Sequence, residues 1–274
     1  MSCGINQRIN CYSMITWDLN FIYFDEAKGD TVSVYAKPGT QSYNDLWEPM
    51  IKDFTYHLKS KGWFGKTTIA MDERDMESMK AVMALLKRID PDWKTALAGN
   101  YHREIALEIF DYCIIIHGKF DQDILAQRKA AGMPTTYYTA CGEKRPNAFT
   151  FSPPAEIVWI GWYSAAEGFS GYLRWAFNNW TSATLQDTRY KTWPAGDCYQ
   201  VYPGPRSSIR FEKLIEGIQD FEKIRILKEL FERDGNEEKL NKLNDMLSTF
   251  NIRNLEKIPA TNMISQGKKL LNEF

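Results

Sequence analysis

Between residues 66 and 177, short runs rich in β-branched and aromatic residues alternate with longer amphipathic stretches, and this alternation leaves few folds open. Residues 66–71 (KTTIAM) read as a strand. A helix follows over 74–89, in which Met76, Met79, Val82, Met83 and Leu86 recur at spacings of three and four. The pattern repeats as strands at 94–98, 111–116, 135–140 and 171–177, with helices at 102–109 and 120–131 and a further segment at 155–166. Strands separated by helices of this length argue for parallel βαβ units. No Gly-rich phosphate loop follows any of them, so a dinucleotide-binding fold has little support.

With a strand at 11–17, the count is about six, whereas a closed barrel needs eight. The expected fold class is therefore α/β: a TIM-type (β/α) barrel lacking its first strands in this chain, followed by C-terminal helices. Residues 1–235 are expected to form this incomplete barrel, and residues 236–274 a helical extension packed on it. A rim hairpin is expected over about 20–37, where FIYF (21–24) and VSVYA (32–36) flank Lys28-Gly29-Asp30. A helix over 45–60 carries Leu46, Met50, Phe54 and Leu58, with Asp45 as its cap. A long helix over about 208–232 contains Gly217, which weakens it locally.

The turn after strand 66–71 holds two carboxylates side by side, Asp72 and Glu73. In a (β/α) barrel this turn lies at the C-terminal rim, where active sites are built. The plainer alternative is local. Asp before a helix is a good N-cap, and Glu in the first turn suits the helix dipole.

Composition narrows the partners. The net charge of −1 gives no electrostatic case for nucleic acid or an anionic membrane. No run of eighteen apolar residues is present, so no membrane span is expected. Five scattered Cys without a C-x-x-C pair and three His without ligand spacing argue against a disulfide framework or a structural metal site. The start, MSCGINQRINCY, has no signal-peptide apolar region. Nine Trp and fourteen Tyr are enough to line a sugar-binding cleft as well as to fill a core. No organic cofactor is indicated.

Five stretches carry a resemblance to a known family: DFTYHLKSKGWFGKTTIAMDER (53–74), TYYTACGEKRPN (136–147), GYLRWAFNNW (171–180), WPAGDCYQVYPGP (193–205) and SIRFEKLIEGIQDFEKIRIL (208–227). In that order they resemble glycoside hydrolase family 123. The resemblance implies a TIM-barrel, retaining, exo-acting β-N-acetylgalactosaminidase that works by substrate assistance, with its Asp-Glu pair at Asp72 and Glu73. It also implies a β-sandwich before the barrel and, with an upstream segment, export. Adjacent residues cannot easily flank a sugar ring from both faces, as an ordinary retaining pair does. The pair suits a mechanism in which the 2-acetamido group is the nucleophile, Glu73 the acid and base, and Asp72 the partner of the acetamido N–H.

Further rim candidates follow from position. Tyr137 and Tyr138 end a strand, and only one of them faces inward. Tyr138 is preferred, as the tyrosine that the resemblance suggests for the acetamido carbonyl. Trp175 and Asn178 end the last strand, where Trp175 is a stacking floor or a core residue. His117 ends strand 111–116 and is a site residue or an ordinary loop histidine; Trp162 is a subsite wall or packing. Asn179-Trp180-Thr181 matches a glycosylation sequon. The expected partner is a glycan bearing a 2-acetamido sugar. An inactive carbohydrate-binding barrel and a glycosidase for another 2-acetamido sugar are the alternatives, and an open-sided barrel invites self-association.

Overall fold

The computed structural model describes residues 7–11, 13–189, 192–204 and 206–274. The chain divides into two compact units, residues 1–114 with 118–134, and residues 115–117 with 135–274.

In the first unit, β1 (Ile9–Cys11) is followed by the hairpin β2 (Asn20–Asp25) and β3 (Asp30–Tyr35), helix α1 (Gln41–Ser60), β4 (Thr67–Met71), α2 (Met76–Ile89), β5 (Lys94–Gly99), β6 (Asp111–Ile115) and α3 (Gln122–Ala130). β1, β4, β5 and β6 pair in parallel in that order. The register sets Met71 beside Leu97, and Gly99 beside Ile114. Residues 72–73 and 100–102 therefore follow the strands at one and the same edge. β2 and β3 pair antiparallel from Asn20 beside Tyr35 to Asp25 beside Asp30. The hairpin turn is closed by Asp25, whose Oδ1 accepts from Ala27 N and Lys28 N, and by Gly29 at φ 69°.

Several boundaries differ from the sequence reading. The first strand lies at 9–11 rather than 11–17, and Met14 and Ile15 are buried in the bend beyond it. α1 starts four residues early because Thr40, not Asp45, caps it through Tyr43 N. Its buried residues are Tyr43, Ile51, Thr55 and Leu58, and Met50 is exposed.

The helix expected at 102–109 is a single 3-10 turn at Arg103–Ile105. Carbonyls at the far end of the segment, which a helix over 102–109 would leave without an intrahelical partner, are taken by the fully buried Arg128. Its guanidinium donates to Ala106 O, Ile109 O, Phe110 O and Pro134 O at 2.5–3.1 Å. Such a charge is tolerated in a core only when its N–H groups are satisfied.

In the second unit, β7 (Thr135–Tyr138) runs parallel to β8 (Gly171–Leu173), with α4 (Pro154–Glu167) between them in sequence. α5 (Ile209–Arg233) packs on α4, and α6 (Glu237–Ser248), α7 (Ile252–Lys257) and α8 (Ala260–Leu271) complete the chain. Gly217 is not a flaw in α5. A Cβ on Gly161 of α4 would lie 2.1 Å from Gly217 O, so the two helices cross at backbone contact.

The fold is thus mixed α/β. Among the described residues, four strands pair in parallel in the first unit and two in the second. No helix among those residues is long and apolar enough to cross a membrane.

Candidate active site

Asp72 and Glu73 occupy the turn between β4 and α2, and the capping alternative falls to a third acid. Asp75 is the N-cap of α2: its Oδ1 accepts from Ser78 N at 2.8 Å. That bond holds the Asp75 carboxyl below its ordinary value. Asp72 instead accepts from Glu73 N at 2.8 Å, which closes the turn on itself.

Arg74 braces this turn from behind. Its Nε donates to Ile15 O at 3.2 Å and its Nη1 to Glu73 O at 2.7 Å, with Asp72 Oδ2 at 3.5 Å. The guanidinium lies 3.6 Å from the centre of the Trp17 ring, and the side chain is only 9% exposed. An arginine this well fixed is a rigid support. The Asp72 side chain remains 48% exposed, and Glu73 is exposed. The two carboxylates are therefore anchored through backbone yet accessible to a ligand.

Glu73 borders a pocket of about 360 Å³ lined also by Arg74, Asp75, Met79, Leu97, Gly99, Asn100 and His102. Gly99 makes room for Glu73, since a Cβ there would stand 3.1 Å from Glu73 Cγ. The loop over the pocket is tied down by buried Tyr112, whose hydroxyl donates to Asn100 O at 2.7 Å and accepts from His102 N at 2.8 Å. Burial pushes that phenol up to about 12, so it stays protonated. Gly99, Asn100 and His102 are not among the sequence candidates, since the composition of 102–109 predicts a helix there. The signal that finds them is their place directly after a parallel strand.

The other candidates lie in the second unit. Strand alternation separates the two tyrosines as expected. Tyr137 is fully buried, packs on Tyr163, Phe169 and Tyr172, and donates to Ile160 O at 2.8 Å. It is a core residue and, contrary to the sequence expectation, does not contact sugar, because its ring has no exposed surface. Tyr138 is half-buried, and its carbonyl accepts from Ile116 N. Trp162 is also corrected to packing. It has no exposed surface, stacks on Phe250 at 4.7 Å, donates to Asp220 Oδ2 at 2.9 Å and is touched by α8 at Gly267. His117 is exposed beyond the end of β6.

Trp175 and Asn178 do not end a strand. β8 stops at Leu173, and the next residue, Arg174, enters a buried ion pair with Asp197. Arg174 also donates to Thr139 Oγ1 at 2.7 Å and Asn147 Oδ1 at 2.6 Å. Burial raises the Asp197 carboxyl even with the guanidinium beside it. The chain then pairs with 198–200: Asn179 N donates to Cys198 O and Gln200 N to Phe177 O. On this fixed loop Trp175 is 55% exposed and meets Trp193 edge-on at 5.1 Å. Its core alternative is thereby removed. Asn178 is exposed, bridging to Tyr199 through backbone. Among the described residues, no group of His, Cys, Asp and Glu is placed to hold a metal.

Comparison with known proteins places this geometry. A solved structure of a family 123 glycoside hydrolase from Clostridium perfringens, described for glycolipid glycan hydrolysis, superposes with a TM-score of 0.82 at 27% identity. The match covers 97% of this chain and 50% of that one, so this chain spans half the length of that protein. No curated protein sequence matches. Residues 1–227 match the catalytic domain of glycoside hydrolase 123, and the chain belongs to that family.

Proposed function

We propose that this chain is the catalytic part of a glycosidase that removes terminal β-linked N-acetylgalactosamine by a retaining, substrate-assisted mechanism. The observation that carries the reading is the Asp72-Glu73 pair: two adjacent, accessible carboxylates beyond a parallel strand, with helix capping done by Asp75. Family membership supports the glycosidase class.

In the first step the acetamido oxygen attacks the anomeric carbon, and Glu73 in its acid form protonates the departing glycosidic oxygen. The products are an oxazolinium ion and the free alcohol. Asp72 accepts a hydrogen bond from the acetamido N–H and stabilises the positive charge that grows on it. Its Oδ1 accepts from Glu73 N at 2.8 Å and its Oδ2 meets Arg74 Nη1 only at 3.5 Å, so Oδ2 has the lone-pair capacity for this task. In the second step the Glu73 carboxylate takes a proton from water, which attacks the anomeric carbon and opens the ring with net retention. Tyr138 would hydrogen-bond the acetamido carbonyl, and exposed Trp175 would stack on the ring, with Asn178 and His117 as further polar contacts.

The test is hydrolysis of p-nitrophenyl β-glycosides of N-acetylgalactosamine, N-acetylglucosamine and galactose by the wild type, Asp72→Asn and Glu73→Gln. Positioned acid–base catalysis contributes on the order of 10²–10⁴-fold. The reading expects turnover of the first substrate and losses of that order in each variant. Equal turnover by the double variant would sink it. The strand count favours one second reading, a sugar-binding barrel without turnover, which the same assay and a binding measurement separate from the first.

A further inference from the structure

The pocket beside Glu73 has a one-sided relation to the carboxylate pair. Glu73 lines it and Asp72 does not. In the mechanism above, Asp72 serves the acetamido group of the sugar being released, so that sugar's site must adjoin both acids. A pocket that adjoins the acid alone lies on the side where the protonated oxygen departs. We propose that this pocket is the subsite for the leaving sugar, and that Asn100 and His102 recognise its hydroxyl groups; this rests on Glu73 being the acid.

Three further features fit a sugar ring. The volume, about 360 Å³, is at the small end of ligand pockets, which run from about 300 to 1,000 Å³, and so suits one ring rather than a chain of them. Met79 and Leu97 also line it, and as buried residues of a helix and a strand they give it an unyielding wall. The Asn100 amide and the His102 imidazole have no hydrogen-bond partner among the described residues. Each carries both a donor and an acceptor, the combination a sugar hydroxyl needs. Tyr112 holds the backbone of both residues, so the two groups are presented from a fixed loop rather than a flexible one. By contrast, the Arg74 guanidinium and Asp75 Oδ1 are already engaged within the chain.

The experiment compares two substrates in the full chain: the p-nitrophenyl β-glycoside of N-acetylgalactosamine, which has no leaving sugar, and a disaccharide in which the same sugar is β-linked to galactose. The readout is the ratio of kcat/KM for the disaccharide to that for the aryl glycoside. In Asn100→Ala and His102→Ala this ratio should fall about tenfold, the effect of one lost hydrogen bond to a bound sugar. His102→Gln, which keeps a donor and an acceptor, should restore part of it. An unchanged ratio overturns the assignment, because the pocket then serves the released sugar or none.

A binding arm separates this result from the fate of the catalytic reading. Methyl β-galactoside is titrated against the imidazole NMR signals of a chain with only three histidines. A shift of the His102 signal, abolished in Asn100→Ala, supports the subsite even if no substrate turns over. No shift in the wild type overturns it even if the aryl glycoside is hydrolysed.

Discussion

Gly99 lies against Glu73, so close that a Cβ at position 99 would stand 3.1 Å from Glu73 Cγ. One strand thus sets the side-chain position of an acid carried by its neighbour. Gly99→Ala should push the carboxyl group by a few tenths of an ångström without unfolding the strand. Misplacement of a reacting group by about 1 Å costs up to 10²-fold. We expect kcat to fall about tenfold while Tm stays nearly constant, read by steady-state kinetics and thermal unfolding of the same sample.

Asp75 and Asp72 should separate stability from activity. Loss of an Asp cap costs about 1 kcal/mol, so Asp75→Ala should lower stability by that amount in urea unfolding, and Asp72→Asn should not. The Ser78 N–H bond depresses the Asp75 carboxyl below its ordinary value of 3.8. Its contribution is therefore full above that pH and is lost as pH falls through the lower, folded-state value. The stability gap between wild type and Asp75→Ala should close in acid; a gap that widens below pH 4 would contradict the assignment.

Gly217→Ala tests the helix crossing. A Cβ there would lie 2.9 Å from Val158 O and 3.2 Å from Ile157 O, both backbone atoms. Helix propensity alone would make Ala stabilising by about 1 kcal/mol. Overpacking against backbone costs about 1–3 kcal/mol, and should win because neither helix can yield. The expected outcome is a lower Tm, with a larger drop for Gly161→Ala, where the clash is closer.

Trp175→Ala should act on substrate rather than on the fold. The ring is more than half exposed, and its ring neighbour Trp193 sits at its edge. Removing a stacking platform of this kind costs about 1–3 kcal/mol, by analogy with base–aromatic stacking. We expect kcat/KM to fall about tenfold or more with Tm changed little. Trp175→Phe should recover part of the loss.

What could be read along the chain was whatever depends on local spacing. The helical face of Met79, Val82, Met83 and Leu86 is buried as its periodicity requires, and the hairpin around Gly29 forms where its turn residues fall. The parity of Tyr137 and Tyr138 also follows from strand geometry alone. Reading failed where a distant residue decided the outcome. The 102–109 segment has helical composition, yet only a 3-10 turn forms there, and distant Tyr112 and Arg128 hold the backbone at its two ends.

The amino-acid sequence by itself determined the alternation of strands and helices, the parallel class of the sheet and the adjacency of Asp72 and Glu73, because each follows from residues within a turn or two of one another. Tertiary structure decided which acid caps α2, why Gly217 stands in a long helix, that Trp162 is enclosed and Trp175 exposed, and that Asn100 and His102 share a pocket with Glu73. These depend on parallel register and on helix approach distance. Both are set by the fit of surfaces far apart in the chain, so no local pattern encodes them.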